Sequence, residues 1–312
     1  MNRICVIVNP VSGRGHGEKS IPAIEGHLKR LNLAYSLVRT ERPGHAVELA
    51  ADAAGKGAEF VVAAGGDGTA NEVLNGLMEA KGGTTDGPAM AVLCVGRGND
   101  FAFGMGVPKD VEEGCRAIAE NRRRKIDVGK VTGGLFPDGR FFGNGVGIGF
   151  DAVVGFEALK LKPLSGFLSY AVAAVKTISL YYSAPLVRIE CDGLEWTQPA
   201  LMVSLMNGRR MGGGFLMAPD GNPDDGFLNF CIAGPVSRRR IFPLMLKFMK
   251  GAQASHPLIR SGTFKRMTVT ALEGVLPAHA DGETLCVEGK SLSIELFPSR
   301  LDIVVSGPRR PD

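Results

Sequence analysis

One short stretch, AAGGDGTANEVLNGL at residues 63–77, limits the fold of this chain more than any other. The run EFVVAA that leads into it is continuously apolar, as is typical of a parallel strand covered on both faces. The residues that follow the glycines with helical spacing, and that form the inward face of a helix, are Val73, Leu74, Leu77 and Met78. The glycines therefore form a turn between a buried strand and a helix.

The same alternation of strand and helix runs through residues 1–125. Apolar runs typical of buried strands are RICVIVNP, AYSLVRT, EFVVAAGG and PAMAVLCVG. Helical spacing follows them in residues 21–31, in GHAVELAADAA, in the stretch above and in DVEEGCRAIAENRR. This order predicts an α/β fold in which residues 1–125 form a Rossmann-like, doubly wound nucleotide-binding domain.

The pattern changes at IDVGKV. Short β-branched or aromatic runs separated by Gly, Pro, Asp and Asn then predict an antiparallel β-sandwich over residues 126–298, with helical insertions near residues 155–182 and 238–249. The segment SRLDIVVSG within residues 299–312 is either one more strand of this domain or a return to the first domain. The sequence leaves that choice open.

Composition predicts a cytoplasmic protein. Six scattered cysteines without a C-x-x-C pair are typical of reduced, buried thiols. Residues 165–186 are apolar enough to suggest a membrane span, but Lys176 lies in their middle, so a buried helix is favoured. The five histidines lack metal-ligand spacing and are interpreted as surface or loop residues. The net charge of +4 is mild, yet clusters such as Arg238, Arg239 and Arg240 suit phosphates or an anionic membrane as well as solvated helix ends.

The glycine turn indicates phosphate binding. In our interpretation Thr69 is the N-cap of the helix and Glu72 completes a capping box. The free N–H groups and the positive dipole end of the helix suit an anion, and glycines let the backbone approach it. Asp67 is badly placed for direct phosphate contact unless a cation lies between, which indicates Mg²⁺-nucleotide. A structural Gly-Asp-Gly turn is the alternative.

A second glycine loop supports this interpretation. NPVSGRG follows the first strand, so both loops are expected at one edge of the sheet, where they frame a crevice outside the strand ends. Neither loop has the Walker A sequence or the G-x-G-x-x-G spacing of a dinucleotide-binding fingerprint.

Together with Thr40 before GHA, the motifs NPVSGRG, GGDGTANEVLNGL, GRGNDFA, IDVGKV, MGGGFLMAPDGNPDDGFLNF and ADGET stand in the order found in the diacylglycerol kinase catalytic family, which also includes bacterial lipid kinases and sphingosine kinases. The chain resembles this family from about residue 3 to about residue 298. The resemblance implies ATP and Mg²⁺ as cofactors, with ATP bound between a Rossmann-like domain and a β-sandwich. The nucleotide-binding residues that it implies are Asn9, Ser12, Gly13, Gly15, Thr40, Gly65, Gly66, Asp67, Gly68, Thr69 and Asn71. We add Glu72 and Arg97 as candidates from their places beside these loops, not from the resemblance.

The resemblance also implies catalytic and metal-binding roles. Asp67 would act through Mg²⁺, and Asn99 and Asp100 would lie near the transferred phosphate or the substrate hydroxyl. Glu283 of Asp-Gly-Glu matches the proposed general base, which accepts the hydroxyl proton in phosphoryl transfer. A second, structural Mg²⁺ would be held by the Asp225 side chain and main-chain oxygens of Asn222 and Phe227. For Asp225 a metal-free Asp-Gly turn is the alternative.

The chain departs from the family pattern at Arg97, where Thr is usual, and at Phe103, where Arg is frequent. We expect a cytoplasmic lipid kinase that contacts the inner membrane face peripherally, with diacylglycerol as the preferred substrate and no nucleic-acid partner. The oligomeric state stays open, a homodimer included. One alternative is a soluble kinase of the NAD kinase type, against which NDFA and the late DGE argue. The other is a catalytically silent regulator that binds a nucleotide or a lipid; Arg97 favours it, and the presence of Asp67, Asp225 and Glu283 argues against it.

Overall fold

The computed structural model describes residues 3–82, 86–160, 172–173, 176–178 and 182–307. The chain forms two compact units, one of Met1–Asp127 with Ser299–Asp312 and the other of Val128–Pro298. The chain passes between the units inside two strands, β5 (Arg123–Gly133) and β16 (Ser291–Val304).

Unit 1 contains a parallel sheet in the order β2-β1-β3-β4, to which the last residues of β16 add. Ile303 of β16 pairs with Met90 of β4 in parallel, so the segment whose place the sequence left open joins this sheet. The two points where the chain leaves and re-enters unit 1 are joined by a hydrogen bond. The Ser299 N–H donates to Asp127 Oδ1 at 2.7 Å. The other strands and the helices of the unit are β1 Ile4–Val8, α1 Ser12–Arg30, β2 Tyr35–Arg39, α2 His45–Gly55, β3 Phe60–Gly65, α3 Asp67–Lys81, β4 Ala89–Cys94, α4 Asp100–Met105 and α5 Val111–Ala119.

Helices cover both faces of this sheet. On one face Ile21, Ile24 and Leu28 of α1 pack with residues of α5 against alternate side chains of the strands. On the other face α2 and α3 pack so closely that a Cβ added at Gly76 would lie 2.2 Å from the Val47 carbonyl oxygen. Residues of β3 are buried along the whole strand, which explains the continuous apolar runs of the sequence.

Unit 2 is an antiparallel β-sandwich. One sheet has the order β12-β11-β10-β7-β14-β15, and the facing strands are β16, β13, β8 and β9 with β5 and β6. Both sheets bury side chains in a shared core that includes Phe142, Ile189, Leu205 and Leu292. The strands are β6 Phe136–Phe142, β7 Gly145–Gly149, β8 Leu186–Cys191, β9 Leu194–Pro199, β10 Met202–Met206, β11 Leu228–Ala233, β12 Ile259–Phe264, β13 Arg266–Ala271, β14 Leu276–Ala280 and β15 Glu283–Gly289.

Two described helices interrupt the sandwich, α6 (Phe150–Lys160) and α7 (Arg238–Lys250), and a 3₁₀ turn follows α7 at Gln253–Ser255. The second predicted insertion corresponds to α7. Much of the first, and most of the 165–186 segment considered as a membrane span, lies outside the described residues. Within the described part of the chain, no helix combines the length and apolar character that a membrane crossing requires.

Candidate functional site

Three loops meet at the carboxyl ends of β1, β3 and β4 in unit 1, at residues 9–15, 65–68 and 96–99. Backbone hydrogen bonds hold them side by side. The Asn9 N–H donates to the Ala64 carbonyl at 3.0 Å, and the Val95 and Gly96 N–H groups donate to the Gly65 carbonyl at 3.2 and 3.0 Å. We call this set of loops the glycine-loop site. Carboxyl ends of parallel strands are where α/β folds bind ligands.

The glycines of this site are required by space and by backbone conformation. Gly13 has φ +59, and a Cβ there would lie 2.5 Å from the Val95 carbonyl oxygen. A Cβ at Gly96 would lie 2.3 Å from the Gly66 Cα, so these two loops touch through their backbones. The close approach leaves backbone rather than side chains facing the ends of the strands, as a phosphate-binding surface requires.

The start of α3 differs from the capping box that the sequence predicted. Gly66 is the N-cap and α3 begins at Asp67, so Thr69 lies inside the first turn. Its Oγ1 accepts a hydrogen bond from Asn9 Nδ2 at 3.0 Å, which ties the first loop to the second. Ser12 Oγ lies 3.7 Å from the position of a Gly66 Cβ, beside the same turn.

Glu72 has a different partner from the one predicted. Its carboxylate accepts the N–H groups of Gly44 and Ala46 at 2.9 and 3.0 Å, and so caps the start of α2. The capping-box interpretation is therefore wrong, because a tertiary contact replaces the local one. Asn71 is buried and its side chain accepts from Asn75 Nδ2. Both side chains are held by protein groups, which favours a supporting rather than a direct role.

Asp67 lies at the centre of the glycine-loop site. Its Oδ1 accepts the Phe101 N–H at 2.9 Å, and its Oδ2 would be 2.7 Å from a Cβ at Gly98. Burial, with Asp67 adding a negative charge, raises the pKa of the Cys94 thiol to about 11, so this thiol stays protonated.

Asn99 supplies a second oxygen at this site. It is the left-handed N-cap of α4, with φ +53, and its buried Oδ1 has no hydrogen-bond partner among the described residues. A carboxylate and an amide oxygen beside the same loop are ligands that suit a hard cation. These residues fit Mg²⁺. No group of three or more His, Cys, Asp or Glu within the described chain forms a metal cluster by itself.

The remaining predicted residues of unit 1 lie in these loops or next to them. Asp100 is buried at the first position of α4, and Arg97 is exposed in the loop before it. Thr40 follows β2, and its N–H donates to the Val8 carbonyl at 2.9 Å. Gly15 has φ +86 in the left-handed kink that precedes the regular part of α1.

Asp281 and Glu283 of unit 2 have different surroundings although they are two residues apart. Asp281 is buried, and its carboxylate accepts the N–H groups of Gly143, Asn144 and Gly145 at 2.8 to 3.0 Å. Asp281 thus fixes the turn between β6 and β7. Glu283 is half-buried at the first position of β15, after the left-handed pair Asp281-Gly282. Its role as general base stays a prediction.

The loop at residues 222–227 forms a turn closed by its own side chain. Asp225 is exposed, and its Oδ1 accepts the Phe227 N–H at 3.0 Å across Gly226, which has φ +77. The Lys265 Nζ lies 4.9 Å from the centre of the Phe227 ring. The structural Mg²⁺ predicted for Asn222, Asp225 and Phe227 remains a proposal beside the simpler hydrogen-bonded turn.

Melting in Mg²⁺ decides between these two interpretations. If Asp225 holds an ion, Mg²⁺ at ten times its Kd should stabilise the wild type by about 1.4 kcal/mol, or about 2–4 °C in Tm, more than it stabilises Asp225→Ala, which keeps only the oxygens of Asp67 and Asn99. Asp138→Ala, which removes another exposed carboxylate of unit 2, should respond like the wild type. Equal shifts in all three proteins would exclude Asp225 as a ligand.

Unit 2 contains an apolar pocket that the sequence did not reveal. Its volume is about 60 Å³ and, among the described residues, Asp151 is the ionisable group on its wall. The apolar lining residues include Val154, Leu201, Met202, Phe215, Ile241, Leu244, Met245 and Phe248.

Asp151 belongs to a buried polar cluster. Ser204 Oγ donates to Asp151 Oδ2 at 3.1 Å, and a Cβ at Gly147 would lie 2.6 Å from Asp151 Oδ2 and 2.5 Å from His279 Nε2. Burial raises the pKa of Asp151, while His279 and the Ser204 hydroxyl act in the opposite direction. His279 is buried on β14, so its interpretation as a surface or loop residue is wrong.

Comparison with known proteins identifies the family. The profile described as "Diacylglycerol kinase catalytic domain" matches residues 3–131, and the one described as "YegS C-terminal NAD kinase beta sandwich-like domain" matches residues 144–305, more than half of the chain. The chain belongs to the diacylglycerol kinase catalytic family.

Individual members of this family match along most of their length. A diacylglycerol kinase of Staphylococcus saprophyticus is 27% identical over 282 residues, which are 90% of this chain and 88% of the relative. One from Staphylococcus aureus is 28% identical, over 90% of this chain and 86% of its own.

Solved structures agree on the fold. A diacylglycerol kinase of Bacillus anthracis superposes with a TM-score of 0.72 at 22% identity, over 98% of this chain and 97% of its own. An NAD kinase of Archaeoglobus fulgidus in complex with ATP gives 0.54 at 14% identity, over 97% of this chain and 94% of its own. The predicted fold class, the predicted family and the prediction of a diacylglycerol kinase-like enzyme are confirmed.

Proposed function

We propose that this protein transfers the γ-phosphoryl group of ATP to the free hydroxyl of diacylglycerol and so forms phosphatidic acid. Relatives named diacylglycerol kinase, which match over most of the chain, support the reaction class. The observation that carries the lipid assignment is the apolar pocket of unit 2. An acyl chain binds in an apolar pocket, whereas a soluble nucleotide such as NAD⁺ has no apolar part that would fill one.

The glycine-loop site supplies the groups expected to bind ATP. The N–H groups in the first turn of α3 do not donate to carbonyl groups of the helix, because no helical turn comes before them. The positive end of the helix dipole also favours phosphate. Gly13, Gly66 and Gly96 leave the backbone open for that approach. Asp67 and Asn99 would hold Mg²⁺, which, when bound, would neutralise charge on the phosphates.

Glu283 is the candidate acceptor of the substrate proton. Phosphoryl transfer to an alcohol needs a positioned nucleophile and a group that takes its proton as the new P–O bond forms. A carboxylate has an ordinary pKa near 4.3, so it takes that proton late in the reaction. The half-buried position of Glu283, after a rigid turn fixed by Asp281, supports such positioning.

The pocket is expected to hold a segment of one acyl chain, because about 60 Å³ is too small for a whole lipid. Asp151 lines the pocket, and we expect the polar part of the substrate beside it. In this proposal the pocket selects for an apolar chain next to a polar group, and the identity of that group is settled by assay.

The test is incubation of the purified protein with labelled ATP, Mg²⁺ and, in separate mixed-micelle reactions, diacylglycerol, monoacylglycerol, ceramide or sphingosine, with NAD⁺ in a reaction of its own. Label in phosphatidic acid is the expected result. Label in NADP⁺ would support the NAD kinase alternative, and no transfer to any acceptor together with ATP binding would support a silent regulator. Either result would refute the proposal.

A variant of the pocket tests where the lipid binds. Met245 lines the pocket from α7, and Met245→Trp should fill the pocket with a large ring. We expect the KM for long-chain diacylglycerol to rise about 10- to 100-fold, the effect of losing roughly 1.4–2.8 kcal/mol of apolar contact, with an unchanged KM for ATP. Leu194→Trp, at an exposed position on β9 away from the pocket, is the control. Similar lipid KM values in both variants would exclude the pocket.

A further inference from the structure

Helix α7 has exposed apolar residues as well as a buried apolar face. Ile241, Leu244 and Phe248 are buried and line the pocket, as expected for a helix of a globular domain. A second group of apolar side chains beside this face is exposed, since Phe242, Leu246 and Met249 are 56%, 44% and 38% exposed. Residues spaced four and three apart lie on one helix face, so these three form a continuous stripe that we call the outer stripe.

Basic residues flank the outer stripe. Helix α7 contains Arg238, Arg239, Arg240, Lys247 and Lys250 and no Asp or Glu. The surrounding segment is equally one-sided, since residues 226–272 contain eight Lys and Arg and no acidic residue, whereas the whole chain has 36 basic and 32 acidic residues. Positive charge beside exposed apolar side chains is the composition of helices that lie in the interface of an anionic bilayer.

We propose that α7 docks the protein on anionic membranes by inserting the outer stripe among the lipids while its basic residues contact the headgroups. A helix of 13 residues is about 20 Å long, so it would lie along the surface rather than cross the bilayer. The inference rests on the proposed function for its purpose: the same helix forms one wall of the pocket, so docking brings the pocket to its substrate.

An anionic bilayer explains why basic residues and exposed apolar residues occur together on α7. Either group of residues alone would also fit other roles. Charge alone would explain binding that salt abolishes, and an apolar stripe alone would explain binding to neutral lipid. The combination predicts attraction by anionic lipid followed by apolar insertion. When salt screens the charges, we therefore expect the protein to keep part of its affinity for the vesicles through the three apolar side chains of the outer stripe.

Vesicle sedimentation tests the docking. We expect the wild type to bind vesicles of equal parts phosphatidylcholine and phosphatidylglycerol, and to bind phosphatidylcholine alone much more weakly. The triple variant Phe242→Ser, Leu246→Ser, Met249→Ser should bind the mixed vesicles at least about tenfold more weakly, because the apolar contribution is lost. The variant Arg238→Ser, Arg239→Ser, Arg240→Ser should lose the salt-sensitive part of the binding.

A matched control uses exposed apolar residues elsewhere in unit 2. Leu135, Leu194 and Val287 are 69%, 67% and 63% exposed, and changing all three to Ser should leave binding within twofold of the wild type. Equal binding of the outer-stripe variant and the wild type would overturn the proposal. Equal losses in the outer-stripe variant and the control would overturn it too.

Fluorescence reports insertion directly. Tryptophan at position 246, introduced as Leu246→Trp, should shift its emission to the blue on mixed vesicles, whereas Leu194→Trp should not. Absence of a shift at position 246 would contradict insertion.

Activity without vesicles separates this inference from the proposed function. The outer-stripe variant should phosphorylate a water-dispersible short-chain diacylglycerol at the wild-type rate, since its three positions do not line the pocket. If the wild type phosphorylates no lipid, the proposed function fails, while vesicle binding still decides whether α7 docks on membranes.

Discussion

Glu283→Gln is expected to lower turnover by about 10²- to 10⁴-fold with little change in ATP affinity. Glutamine has the size of glutamate but cannot accept the proton of the substrate hydroxyl. Glu283 opens β15 and pairs with Ala280 across the turn, so the substitution leaves the backbone pairing in place. Steady-state kinetics with diacylglycerol, together with direct ATP binding, measure both quantities.

The control for this variant lies on the same strand. Glu288 is exposed near the other end of β15, and Glu288→Gln should keep turnover within twofold of the wild type. Near-normal turnover of Glu283→Gln would remove Glu283 from the role of base. If ATP affinity of Glu283→Gln falls as much as its turnover, Glu283 has a role in nucleotide binding instead.

Asp281→Ala is expected to reduce the stability of the protein strongly, whereas Glu283→Gln is expected to reduce turnover. Three buried backbone N–H groups lose their acceptor, and each unsatisfied donor costs about 1–3 kcal/mol, so we expect the free energy of unfolding to fall by about 3–9 kcal/mol. That is a large fraction of the roughly 5–15 kcal/mol by which proteins are stable. Urea unfolding followed by circular dichroism measures the change.

A second substitution tests the reason for this loss. Asp281→Asn keeps one acceptor oxygen and should be intermediate between the wild type and Asp281→Ala. A loss below about 1 kcal/mol in Asp281→Ala would show that water or other groups satisfy the three donors. Asp281 would then not be the structural residue of the Asp-Gly-Glu motif, and the division of roles between Asp281 and Glu283 would be wrong.

Strands with continuous apolar runs were predictable, and polar edge strands were not. β1, β3 and β4 are buried along their length and were recognised from that pattern. β9 and β12 are mostly exposed, and both lie at sheet edges. Their sequences LEWTQP and IRSGTF carry no clear alternation. Their places depend on backbone pairing with distant strands, which no local pattern encodes.

The same distinction holds for the sites. The glycine loops were predictable because close backbone contact requires glycine, and glycine is visible in the sequence. Asp151 was missed because its partners Ser204 and His279 are distant in sequence and come together only when β7 pairs with β10 and β14. Glu72 was misread because a local pattern predicted its partner, whereas the structure joins it to the start of α2.

The pairing of Ile303 with Met90 has a consequence for biosynthesis. Residues of unit 1 are separated in the chain by the whole of Val128–Pro298, so a ribosome produces the strand beside β4 only after it has produced all of unit 2. Until then β4 presents an edge without that partner, and the glycine loops stand on an incomplete sheet. Unit 1, although most of it is translated first, is therefore completed last.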